Sequence, residues 1–152
     1  MSVLKTLLLY AAATLGTGGL AALAAGGFGG YETLALPAFA PPGWLFPVVW
    51  TVLYLLLAVS AAMVTLSHSP ERNRALTAFW VGLAANFLWP LLFFRLKLYW
   101  VSFAWCLVLV ILVAWMAGRF GEIKKKAGLL QIPYLVWLLY ATAINLAAAL
   151  MN

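Results

Sequence analysis

Acidic residues are almost missing from this chain: three in 152, against nine Lys plus Arg, with one histidine and one cysteine. Each scarcity excludes something. Charged side chains make up only 8% of the sequence, whereas an ordinary soluble domain carries about 25%. So few charges cannot cover a soluble globule of this length, which excludes a cytosolic protein, a disordered chain and a nucleic-acid binder. The lone Cys106 permits no intrachain disulfide. His68 stands in the polar stretch SHSPERNR with no Cys, Asp or Glu cluster around it, so no metal site is expected. No nucleophile and base stand at a spacing that would support covalent catalysis. The apolar runs contain no acid, which disfavours a proton-driven pump or exchanger, since such machines carry carboxylates within their spans.

What is present is apolar: 67% of the residues are hydrophobic and 15% are aromatic. Five runs stand out, at 3–25, 44–66, 75–94, 98–118 and 129–151. Each has about 20 residues, enough for a helix to cross a hydrocarbon core about 30 Å thick. Backbone groups in lipid must find partners within their own segment, and the alternation of a barrel strand is absent, so the runs are helices. The expected fold is an all-α integral membrane protein, one five-helix bundle over 1–152. The first run, with Lys5 ahead of an apolar stretch and small residues at Ala22–Ala24, also fits a secretory signal peptide.

The basic residues divide unevenly. Lys5, Arg72, Arg74, Arg119, Lys124, Lys125 and Lys126 fall on one side of a five-span topology, and Arg95 and Lys97 on the other. That seven-to-two excess predicts a cytoplasmic N-terminus. The first loop, Gly26–Gly43, carries no Lys or Arg but holds Pro37, Pro41, Pro42 and Glu32. It is too apolar for a free linker and too broken for a helix, so an ordered cap over one end of the bundle is expected, with or without a role in ligand binding.

Within the spans, aromatic and amide residues recur at helical spacing. Pro47, Trp50 and Tyr54 share a face, as do Asn86, Trp89 and Phe93, and as do Tyr134, Trp137, Ala141 and Asn145. Asn86 and Asn145 are costly in lipid and should point inward, either lining a site for a flat apolar ligand or joining helices. Trp44, Tyr99 and Trp100, near span ends, suit an interfacial belt. Ala12/Gly16 and Ala78/Gly82 are small-xxx-small pairs fit for close helix packing. Cys106 reads as a small buried apolar residue.

The stretch from Tyr31 to Tyr54, YETLALPAFAPPGWLFPVVWTVLY, resembles the translocator protein family, the TspO/MBR or tryptophan-rich sensory proteins, also called peripheral-type benzodiazepine receptors. Its pattern there is roughly WYxxLxKPxxxPPxWxFPxxWxxLY. NFLWPLLFF (86–94) and PYLVWLLYATAIN (133–145) resemble two further family motifs, in the same order.

The resemblance implies a cavity beneath the first loop that takes tetrapyrroles such as protoporphyrin, or related apolar ligands, in a sensor or carrier. It places family site positions on Tyr31, Trp50, Asn86, Trp89, Trp137, Ala141 and Asn145. With Tyr134 from the helical spacing and Pro41 and Pro42 from the loop motif, these form the candidate ligand-binding set. Trp50 and Trp137 match tryptophans implicated in light-driven porphyrin breakdown, an enzyme-like alternative, and a passive transporter is another. No cofactor is implied. The expected partners are a porphyrin or similar small molecule, the bilayer, and a second copy of the chain, with Ala78/Gly82 as the candidate seam. The chain departs from the family pattern at Gly30 and Leu36, where a tryptophan and a lysine are usual, and at Gly82, where a polar residue is usual. No basic residue follows Asn145, so a C-terminal sterol motif is not supported.

Overall fold

The computed structural model describes residues 1–152 and contains no strand. Helix α1 runs Val3–Ala24, α2 Leu45–Thr65, α3 Arg72–Pro90, α4 Tyr99–Ile123, α5 Lys125–Leu129 and α6 Ile132–Met151. Counting α5 and α6 together, five helical segments are long and apolar enough to cross a membrane. Their outward faces carry Leu8, Leu9, Val52, Ile111, Val136 and Leu139, an apolar surface suited to lipid.

The helix boundaries follow local chemistry. Ser2 caps α1 by accepting the Lys5 amide. Two glycines in the left-handed region end α1, Gly26 and Gly27, at φ 79° and 80°. Their amides turn back onto the Leu23 and Ala22 carbonyls. Pro90 has no amide to give to the Asn86 carbonyl, and the chain widens into a π turn over Leu91–Arg95. Arg95 Nη1 then donates to the Ala24 carbonyl at 2.7 Å, placing a cation on the C-terminus of α1. Arg72 does the same for α2, through the Thr65 carbonyl at 3.1 Å.

Two spans are longer than the sequence suggested. The third begins at Arg72 rather than 75, and α4 continues past Gly118 to Ile123, its extra turn carrying an Arg119–Glu122 ion pair at 3.3 Å. Charged residues at a membrane surface keep helical hydrogen bonds while their heads reach water. Only Lys124, in extended conformation, separates α4 from α5.

The helices form a ring: α2 packs on α1, α1 on α3, α3 on α4 and α4 on α6. The ring closes differently between α6 and α2. At the α5 end, Gln131 Nε2 donates to Ser60 Oγ at 2.6 Å. Toward the first loop large rings span the two helices, Trp50 on Tyr134 and Phe46 on Trp137. Helix α1 is a packed member of the ring. Thr14 Oγ1 donates to the Tyr54 carbonyl at 3.1 Å, and Thr65 Oγ1 donates to the Tyr10 hydroxyl at 2.7 Å. It is nonetheless the least buried: 17% of its most apolar stretch is buried, against 44% in α2.

Ala78 and Gly82 are both buried within the chain, so they cannot form the seam with a second copy that their spacing suggested. A Cβ added at Gly82 would meet nothing within 4 Å, so no close approach depends on that glycine.

Candidate functional site

Helices α1, α2 and α3 leave a recess of about 220 Å³ between them, with Phe28 of the first loop also in its lining. Trp50, Tyr54, Asn86 and Trp89 line it, with Gly18, Gly19 and Ala21 opposite and Pro47, Thr51 and Leu15 at its edge. The seven-residue spacing of Pro47, Trp50 and Tyr54 on α2, and the three-residue step from Asn86 to Trp89 on α3, turn these groups to a common space.

Packing holds the recess in shape. An added Cβ at Gly18 would collide with the Tyr54 ring, so a glycine is what lets that ring lie flat against α1. Trp50 sits 5.5 Å from Tyr54 and 6.3 Å from Trp89, centroid to centroid, and meets Tyr134 edge-on at 5.9 Å. Trp89 stacks on Phe93 at 5.5 Å. Such contacts stiffen the wall by roughly 0.5–1.5 kcal/mol a pair beyond area burial.

The two asparagines separate into different roles. Asn145 is held on three sides: its Oδ1 accepts from Trp89 Nε1 at 3.1 Å and from the Ser102 hydroxyl, and its Nδ2 donates to the Ala141 carbonyl at 2.7 Å. It joins α6, α3 and α4 and lies outside the lining of the recess. Asn86, only 2% exposed, lines the recess and donates through Nδ2 to the Tyr54 hydroxyl at 2.9 Å. As placed, its Oδ1 and the Tyr54 proton take no protein partner. With the amide turned over, Tyr54 would donate to the oxygen and an N–H would be free. Either way the recess offers hydrogen-bonding capacity at its floor.

The remaining candidates fall elsewhere. Trp137 lies on a shallow, wholly apolar groove between α2 and α6, with Val48, Val52, Pro133, Val136 and Tyr140. Its Nε1 is buried without a partner. Trp50 and Trp137 therefore face different spaces, and their rings do not pair. Tyr134 and Ala141 are buried behind the walls, touching Trp50 and accepting from Asn145 respectively.

In the first loop, Tyr31 is buried against Phe46 and donates its hydroxyl to the Pro41 carbonyl at 2.7 Å. Burial, with smaller contributions from Tyr140 and Glu32, pushes the Tyr31 hydroxyl up to about 12. Pro42 is exposed. Glu32 Oε1 accepts the Gly43 amide at 3.3 Å, so the loop's single acid caps the turn into α2. The Tyr140 hydroxyl donates to the Phe39 carbonyl, fastening the loop to α6.

The spacing thus brought Trp50, Asn86 and Trp89 together, placed Tyr134 and Asn145 directly behind them, and left Trp137 apart. Gly18, Phe28 and Ser102 were not foreseen. Ser102 carried a readable signal, since a hydroxyl deep in an apolar span needs a partner on a neighbouring helix. Nothing in the spacing marks Gly18.

An α-helical bundle with apolar outer faces defines a multi-pass integral membrane protein. The sequence profile of the TspO/MBR family matches residues 6–151, and the chain belongs to that family. It is 35% identical over 135 residues to protein CrtK of Rhodobacter capsulatus, covering 80% of this chain and 78% of that protein. It is 34% identical over 122 residues to the tryptophan-rich sensory protein of Cereibacter sphaeroides, covering 80% and 76%. With the human translocator protein it shares 30% identity over 122 residues, covering 76% and 70%.

Proposed function

We propose that this protein binds a tetrapyrrole of the protoporphyrin type, or a similarly flat apolar molecule, in the recess between α1, α2 and α3, and acts as a sensor or carrier for it. The observation that carries this reading is the conjunction of Trp50 and Trp89 as aromatic wall with a buried polar pair, Asn86 and Tyr54, that keeps unused hydrogen-bonding capacity at the floor. Flat rings stack on the wall, and a pyrrole N–H or carboxyl oxygen meets the floor. The relatives' names, sensory protein and translocator protein, fit a role in recognition or passage of such a ligand.

Size sets a condition. Sites for drug-sized ligands occupy about 300–1,000 Å³, more than the recess's 220 Å³. A macrocycle is admitted only if a wall yields, and α1 is the wall with least burial. The first loop, through Phe28 and the Tyr31–Pro41 bond, closes the recess from above. The seven basic residues on the side opposite that loop support a cytoplasmic N-terminus, with the loop on the far side of the membrane.

The test is titration of the reconstituted protein with protoporphyrin, read by tryptophan quenching. Saturable binding on the order of micromolar is expected for a recess of this kind. Asn86→Ala and Trp50→Leu should each weaken it roughly tenfold, equivalent to about 1.4 kcal/mol. Trp115→Phe, on the lipid-facing side of α4, should bind as the parent does. Equal affinity in all four proteins would overturn the assigned site.

A further inference from the structure

We propose that the ligand reaches the recess sideways from the lipid, between α1 and α2, through a notch at Gly19, and not from water through the first loop. This rests on the recess being the binding site. The lining residues divide by exposure in a way that locates the mouth. Tyr54, Asn86 and Trp89 are buried and form the floor, whereas Leu15 and Gly19 of α1 and Pro47 and Thr51 of α2 are exposed. The opening is therefore the gap between these two helices. Leu15 and Gly19 lie about 18 and 24 Å along a helix about 33 Å long, a depth occupied by hydrocarbon and short of the headgroups at the loop end.

The gap is built for an apolar passenger. The Thr51 hydroxyl is turned back onto the Pro47 carbonyl at 2.7 Å, so the one polar group at the mouth is already satisfied within its own helix. Glycine at 19 leaves open space where a side chain would stand, with no atom within 4 Å of a Cβ built there. Flanking α1 is the least buried of the five spans. The loop route, by contrast, is shut by several fastenings: Tyr31 to Pro41, Tyr140 to Phe39, and Phe28 against Phe94 at 5.0 Å. A hydrophobic ligand already concentrated in the bilayer meets the mouth without crossing water.

Rates separate this route from the site itself. Protoporphyrin is mixed with the protein in lipid nanodiscs, and tryptophan quenching is followed by stopped flow and at equilibrium. Gly19→Leu fills the mouth without a steric clash, and it should slow association and dissociation together by roughly tenfold or more, with affinity changed far less. Leu15→Ala should speed both. Gly16→Leu, on the same helix but outside the recess, and Tyr140→Phe, which frees the loop, should leave both rates as they were. Parent rates in Gly19→Leu and Leu15→Ala, with faster binding in Tyr140→Phe, would overturn the lateral route while leaving the site intact. Absence of saturable quenching in the parent itself would remove the site, and the route with it.

Discussion

At the scale of single residues, the same side-chain type serves opposite purposes. Asn145 commits its oxygen to Trp89 and Ser102 and an N–H to Ala141, outside the recess, whereas Asn86 lines the recess and keeps part of its capacity for it. Their sequence contexts are alike, each an amide in an apolar span near a tryptophan. Both were legible as inward-facing, because an amide facing lipid is costly. Their division of labour depends on which helix lies opposite, and no single span encodes that.

The difference predicts unequal effects on stability. Asn145→Ala strands Trp89 Nε1 and the Ser102 hydroxyl and should lower unfolding stability by about 1–3 kcal/mol. Ser102→Ala removes one interhelical bond, for which about 0.6 kcal/mol is the usual measure. Thermal unfolding in detergent checks the ordering, and equal losses would contradict it.

Tyr31 carries a pH signature. Its hydroxyl titrates higher in the folded protein than its ordinary value of 10.0, at about 12. The contribution of the Tyr31–Pro41 contact is therefore complete below pH 10 and is lost as the pH rises through 12. Tyrosinate absorbance gained near pH 12 should fall by one tyrosine's worth in Tyr31→Phe. An unchanged amplitude in the variant would contradict the assignment.

At the scale of elements, close approach is governed by glycine, and only some glycines matter. An added Cβ on Gly128 would lie 2.7 Å from Gly121 Cα and 2.9 Å from the Ala117 carbonyl. Both are backbone atoms that cannot swing aside, and this contact is what folds α5 back against α4. Gly128→Ala should therefore destabilise the protein by about 1–3 kcal/mol. Gly118→Ala, whose Cβ meets nothing, should be neutral or stabilising by up to about 1 kcal/mol. Unfolding transitions of the two variants that coincide would refute the contact's importance.

Existence and order of the five spans were readable from hydropathy, because length and apolarity alone determine what can cross lipid. Their ends were not, since Arg72, Arg74, Arg119 and Glu122 look like loop residues yet remain helical at the membrane surface. The Ala78/Gly82 spacing suggested a tight contact, but both residues are buried within the chain and a Cβ added at Gly82 would meet nothing within 4 Å.

At the scale of the whole molecule, the ring of helices creates two spaces from one set of aromatic stripes. The α1–α3 recess takes Trp50, Asn86 and Trp89, and the α2–α6 groove takes Trp137. Helical spacing says that residues share a face of one helix. It does not say which neighbour that face meets, so a set of inward residues drawn from three spans looks like one site until the packing order is known. That order arises from long-range contacts such as Thr14 on Tyr54 and Gln131 on Ser60.

The central claim is that the ligand lies against Trp50, Asn86 and Trp89. The most direct measurement is a structure of the protein in lipid with protoporphyrin bound. The expected result is a macrocycle between α1 and α3, stacked on the Trp50 and Trp89 wall with a polar atom at Asn86 or Tyr54, and α1 displaced outward. A macrocycle seated in the α2–α6 groove against Trp137 and Tyr140, with the recess unchanged, would contradict it.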